Sequence, residues 1–260
     1  MPIATKNGFS SFIFLVQFLL FQNLTFFYPA HLSEASLNNY LFGDLKSHNH
    51  AFTIAVLDFQ NHSFLFKNEL QGLQQGLADM MITTLSQVQE LKVVERRQLK
   101  TLLEEMALGQ SGSIDTGTAQ QVGKLLGARY MVVGSFIQGY KNELRIDVRI
   151  VKTETGEIIK AEEVTGKLDE VLYLIRKLSE KVFRKLQIKL NDAEKREMAN
   201  SLPDCSPEVI MNYFRALYLI DAKDLQSAKK LLDKAFQQCP GFHRAAIARE
   251  QLQKALKNKK

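Results

Sequence analysis

Unbroken apolar runs alternate with segments of three-and-four periodicity between residues 53 and 190, and few architectures accept that order. Thr53-Ile54-Ala55-Val56-Leu57 runs without a break into Asp58, Gln60 and Asn61, which suits a strand covered on both faces. Leu70, Leu73, Leu77, Met80, Met81, Leu85 and Val88 then recur at helical spacing, so a helix of about five turns should lay one stripe on the sheet. Leu91–Val94 reads as a short strand. Leu99, Leu102, Leu103 and Met106 set a second helix that Gly109 and Gly112 end. Asp115 or Thr116 caps a third helix carrying Val122, Leu125 and Leu126 and closed by Gly127, after which Tyr130–Val133 is another buried strand.

The pattern then changes period. Leu144, Ile146, Val148 and Ile150 alternate with Arg145, Asp147 and Arg149, one face dry and one wet, as in an antiparallel or edge strand. Thr155-Gly156 supplies a turn, so Leu144–Thr165 reads as a hairpin. Val171, Leu172, Ile175, Leu178, Val182 and Phe183 give a helix over Leu168–Leu186 one apolar side that covers the sheet again. These signals predict an α/β domain over residues 51–190, built on a mixed sheet with covering helices. Residues 191–206, charged and then holding Pro203 and Pro207 beyond its end, read as a linker or helix break. Residues 207–260 form a small all-α unit: a hairpin of helices over Glu208–Ala222 and Leu225–Gln238, a third helix from Phe242 and a basic tail.

Lys6 precedes an apolar run, Phe9–Phe27, broken by Gln17, Gln22 and Asn23 and followed by small residues at Ala30, Ser33 and Ala35. That order is the order of a secretory signal, with cleavage near Ala35 (residues 1–35) and a polar linker over 36–50. A spanning helix wants roughly 20 apolar residues, and the uninterrupted pieces here are shorter. No cysteine precedes Cys205, so the cleavage point offers no acceptor for a lipid, and membrane contact should be peripheral at most. Of the net charge of +6, +5 falls after Phe242, where Arg244, Arg249, Lys254, Lys257, Lys259 and Lys260 face Glu250 alone. Such a tail is read as solvated and frayed, and export argues against a nucleic-acid partner.

No catalytic or cofactor constellation stands out. The five histidines, His31, His48, His50, His62 and His243, all lie outside residues 63–242, so the α/β region pairs no nucleophile with a base. Gly117–Lys124 imitates a phosphate loop with one residue too many and Leu125 where a hydroxyl is needed. His48, His50 and His62 lack the spacing of a metal site, and no metal is expected. Glu104-Glu105 and Glu162-Glu163 are adjacent carboxylates that point apart.

Three stretches together resemble the curli-assembly outer-membrane protein (CsgG-like) family and its periplasmic relatives. They are Ile54-Ala55-Val56-Leu57-Asp58-Phe59 with Asn61; Gly76-Leu77-Ala78-Asp79, then Val93-Val94-Glu95-Arg96 and Leu99; and Gly123-Lys124-Leu125-Leu126-Gly127-Ala128 with Val132-Val133-Gly134-Ser135. Arg145–Arg149 and Glu154–Ile158 continue the series, which spans Phe52–Leu190. The chain also resembles the N-terminal domain of the Tol-system propeller protein, and both likenesses imply an anticodon-binding-like sheet. Within it Gly134 and Gly139 serve strand ends where a side chain would crowd, Glu95 and Arg96 pair or cap at a strand-to-helix turn, and Asp79 points to solvent. Asp58, Asn61, Asp79 and Glu95 are read as structural. The departure is at Lys141-Asn142, too short for the membrane hairpins of pore-forming members, whose strands need roughly 9–11 residues.

The C-terminal helices resemble one tetratricopeptide repeat closed by Pro240, with Ala216, Ala228 and Ala235 at its small positions and Asn212 where a large residue is usual. One repeat cannot bury its own face. It must pack on the helix from Phe242, on the first domain or on a partner. Cys205 and Cys239 are either a disulfide or two buried thiols; flanking an antiparallel helix pair brings them to one end and favours the bridge. The resemblance implies a non-enzymatic, exported protein, periplasmic and outer-membrane associated, that works as an assembly or adaptor factor with protein partners and self-associates. A secretion-channel subunit and a regulator of a cell-wall synthesis enzyme are the alternatives.

Overall fold

Strand β1 (Phe52–Val56) overlaps the unbroken apolar run, starting one residue earlier, and lies inside a six-stranded mixed sheet with β2 (Gln60–Asn61), β3 (Leu91–Val93), β4 (Tyr130–Gln138), β5 (Glu143–Lys152) and β6 (Ile158–Lys167). The structure, a computed structural model, describes residues 52–106 and 115–257. The signal and linker expectations over residues 1–50, His31, His48 and His50, the helix stop at Gly109 and Gly112 and the last three residues of the tail lie outside the described residues.

The sheet order is β3-β1-β4-β5-β6, with β2 continuing beside β4. β1 runs parallel to β3 and β4, whereas β5 runs antiparallel to both β4 and β6, so the predicted hairpin is β5–β6. Between β1 and β2 the chain steps aside and drops the Phe59 ring onto Gly134, where an added Cβ would lie 2.2 Å from it. Gly134 is therefore required by close approach. Gly139 is not crowded, since a Cβ there would meet nothing nearer than 3.8 Å.

Eight α-helices, with short 3-10 turns at Tyr140–Asn142 and Leu168–Glu170, complete the described chain: α1 (Gln71–Leu85), α2 (Arg96–Glu105), α3 (Thr116–Leu126), α4 (Val171–Lys185), α5 (Asp192–Asn200), α6 (Pro207–Asp221), α7 (Leu225–Gln238) and α8 (His243–Lys257). On one face of the sheet, Ile54, Val56, Val132, Phe136 and the dry side of β5 pack with α1 and α4. On the other, Ala55, Leu57, Met131 and Val151 meet Leu99 of α2 and Ala119 and Val122 of α3. Asp115 caps α3, its side chain accepting from the Thr118 N–H at 2.7 Å, and Gly127 ends it at φ 62°. Gly117–Lys124, the imitation phosphate loop, is helix within α3.

The single stripe expected of α1 is incomplete. Twelve of its fifteen residues are buried, because α6 lies across the side turned away from the sheet. Gly72 and Gly76 make this possible: a Cβ at Gly72 would fall 2.7 Å from the backbone of Phe214 and Arg215, and one at Gly76 would fall 2.1 Å from the Phe214 ring. The C-terminal helices and the sheet thus share one continuous core through α1, which contains Tyr213, Phe214, Ala216, Ala228, Ala235 and Phe242.

Two further regions depart from expectation. The stretch read as a linker or helix break holds α5, capped reciprocally by Asn191 and Glu194. Glu194 is buried and also accepts from the Gln89 N–H at 3.1 Å, which ties α5 to the turn before β3. The basic segment after Phe242 is not frayed over its described length: α8 docks with Ala245 and Leu252 buried, Arg249 pairs with Asp233 at 2.5 Å and stacks over Phe236, and Lys254 pairs with Glu250. Cys205 before α6 and Cys239 after α7 are joined, with S–S 2.04 Å and Cα atoms 6.0 Å apart.

Candidate interaction cleft

A hollow of about 720 Å³ opens where α2, the end of α6 and α8 converge. Its position follows from local sequence. α2 starts directly after β3, so Arg96 sits at the strand-to-helix turn, and α6 ends at Asp221 opposite it. The Arg96 guanidinium grips the Asp58 carboxylate with two bonds, 2.7 and 2.6 Å, and also donates to Asp221, which in turn holds Lys100. Burial alone would lower the Arg96 pKa, but the charges and hydrogen bonds of Asp58 and Asp221 outweigh it and hold the guanidinium protonated. Glu95 stands at the N-cap of α2 with no side-chain capping bond, so the expected cap or Glu95–Arg96 pair is replaced by the Arg96–Asp58 fork.

A second charged knot lies deeper. Asp79, expected at the surface, is 3% exposed on α1. Its carboxylate accepts from the Tyr213 hydroxyl at 2.7 Å and from the Arg244 guanidinium through both oxygens. The reason is topological: α6 and α8 cover the flank of α1 that the apolar stripe leaves polar. Burial first, then the neighbouring Asp79 charge, pushes the Tyr213 phenol well above its ordinary value, with Arg244 opposing in part.

These contacts define what the cleft can do. Both hydroxyls on its wall are engaged as donors, Tyr213 to Asp79 and Thr101 to the Arg97 carbonyl. Asp58, Asp79 and Asp221 each hold a cation. Exposed Arg97 and Ile247 complete a wall that mixes charged groups with apolar ones such as Leu217, Ile220 and Leu252, chemistry suited to recognition of a surface. Among the described residues no cluster of three His, Cys, Asp or Glu could hold a metal ion, and no helix is long and apolar enough to cross a membrane. His62 faces Gln60 at 3.2 Å, Asn61 closes the loop after β2, and Cys205 lines a separate, smaller hollow with Tyr173 and Ile210. Sequence reasoning missed Lys100, Tyr213, Asp221 and Arg244, whose partners lie more than a hundred residues away in the chain.

Residues 42–144, which include β1 to β4 and the start of β5, match the family model of the curli production assembly/transport component CsgG. Among solved structures, the chain is similar to the LpoB C-terminal domain from Salmonella enterica, with 19% identity over 50% of this chain and 93% of that one and a TM-score of 0.34. It is also similar to TolB from Acinetobacter baumannii (13% identity, 52% of this chain and 28% of that one, TM-score 0.36) and to the PelC dodecamer from Paraburkholderia phytofirmans (13%, 53% and 89%, TM-score 0.33). No curated protein matches the chain.

Proposed function

We propose that this chain is a non-enzymatic, exported adaptor or assembly factor of a Gram-negative-type cell envelope, with protein partners and a capacity to self-associate. The observation that carries the reading is the match of residues 42–144 to the curli production assembly/transport component. The sheet is read as anticodon-binding-like, and α6 and α7 as one tetratricopeptide-like repeat whose close approach uses Ala216, Ala228 and Ala235, all fully buried. The recognition surface is the cleft of α2, α6 and α8, where Asp79, Arg96, Lys100, Asp221 and Arg244 are held in internal pairs while Arg97 and Ile247 are exposed. The Cys205–Cys239 bridge suits an oxidising compartment.

Light scattering on the protein without residues 1–35, together with an alkaline phosphatase fusion at the C-terminus, tests this reading. The expected result is a defined assembly whose mass does not depend on detergent, and an active fusion outside the cytoplasm. A chain that stays monomeric at every concentration, with the fusion inactive, would overturn it.

A further inference from the structure

Two loops leave the same end of the sheet. β2 runs parallel to β4 with Asn61 opposite Phe136, the His62 N–H donates to the Phe136 carbonyl at 2.9 Å, and the Gln138 N–H donates to Ser63 Oγ at 2.9 Å. The chain that leaves β2 therefore runs alongside the last residues of β4 and emerges beside the turn at Gly139–Asn142. At this end the polar rule of protein surfaces is reversed: Phe64 is 95% exposed, Leu65 43%, Phe66 60% and, on the neighbouring turn, Tyr140 83%.

The first loop is held in this display. Asn61 clasps it from both sides, its Oδ1 accepting from the Ser63 N–H at 2.9 Å and its Nδ2 donating to the Lys67 carbonyl at 3.1 Å. The Leu70 N–H closes on the Phe66 carbonyl at 3.1 Å, and Phe66 takes φ 54°, a conformation that bulky residues adopt only when their surroundings impose it. The carbonyls of Phe66 and Lys67 are thus partnered within the loop, which fixes the direction in which its tip projects.

The chemistry of the tips selects the occupant. Lys67 and Lys141 directly follow Phe66 and Tyr140, are exposed and have no acidic partner among the described residues. Glu69 and Glu143 stand at the roots of the two loops, where α1 and β5 begin. Protruding rings beside lysines whose stems lie along apolar matter and whose ammonium groups reach outward are the side chains of the membrane–water interface. We propose that Phe64, Leu65, Phe66 and Tyr140 insert into the headgroup–acyl boundary of an anionic phospholipid bilayer, with Lys67 and Lys141 on lipid phosphates, so that this end of the sheet is seated on the membrane. The inference rests on the loops and stands apart from the adaptor reading.

The chain contains no tryptophan, so a single one reports without background. In the full chain, Phe64→Trp is compared with Tyr173→Trp on α4, a site 47% exposed as tyrosine. The vesicles are phosphatidylcholine containing phosphatidylglycerol, with and without brominated acyl chains. The expected result is a blue shift and bromine quenching at position 64 but not at 173, both lost when Phe66→Ser and Tyr140→Ser are added. All these side chains are exposed, so folding is not at stake. Equal behaviour of the two reporters on vesicles overturns the proposal. A blue shift at position 64 that grows with protein concentration in lipid-free buffer also overturns it, assigning the tips to contact between copies.

Discussion

Replacing Asp79 by alanine removes the one acceptor that the Tyr213 hydroxyl and the Arg244 guanidinium share. Tyr213 is 1% exposed, so its hydroxyl finds no water in exchange, and an unsatisfied buried donor costs about 1–3 kcal/mol. Breaking a buried ion pair on one side costs about 3–5 kcal/mol, and because the Arg244 side chain retains 29% exposure the lower end applies. The two contributions overlap, and a total of about 3 kcal/mol is expected. With a urea slope of about 2–3 kcal/mol per molar for a chain of this size, the midpoint should fall by about 1 M. Equilibrium unfolding followed by far-ultraviolet circular dichroism measures this. The triple replacement Asp79→Leu, Tyr213→Phe, Arg244→Met leaves no polar group stranded and should recover most of the loss. A deficit under about 1 kcal/mol for the single variant, or a triple variant no more stable than the single one, would refute the account of the knot as a buried, mutually dependent cluster.

Because the Tyr213 phenol is raised well above its ordinary value of 10.0, its contribution is fully present below about pH 10 and is lost as pH rises toward the folded value. Stability should fall there by about 1.4 kcal/mol per pH unit more than in Tyr213→Phe, as read by urea midpoints at successive pH values. Gly76→Ala drives a methyl into the Phe214 ring and should cost about 1–3 kcal/mol despite better helix propensity, with Phe214→Leu in the same chain returning part of it. Cys205→Ser with Cys239→Ser opens a loop of sequence separation 34 and should lower stability by about 3–4 kcal/mol in the chain-entropy account; the same shift on adding reductant to the native chain, and none in the double variant, checks it.

What could be read from the sequence was what local chemistry decides. The alternation along β5, the Asp115 cap and left-handed Gly127 of α3, and the Thr155-Gly156 turn with Gly156 at φ 74° each depend on a few neighbouring residues. The α1 helix shows where that ends. Its apolar stripe was legible, but Gly72, Gly76 and Asp79 look like surface positions until α6 is known to cover them. α5 was missed because its nine residues, rich in charge, bury only Glu194 and Met198. Asp79 and Arg244 lie 165 residues apart, and Arg96 and Asp221 lie 125 apart, so no periodicity links them. Phe64-Leu65-Phe66 was passed over in the sequence, because three apolar residues in a row look like core and only their exposure in the fold separates them from it.

The position of α1 between the sheet and α6 also orders events in time. A chain grows from its N-terminus, so α1 and the strands it covers are made long before α6 and α8, and Asp79 waits for a partner synthesised 165 residues later. Until then the outer side of α1, with its two glycines and its carboxylate, faces water and adds little to stability. Only when α8 has been made can Asp79 pair with Arg244 and the core on that face of the sheet close over α1.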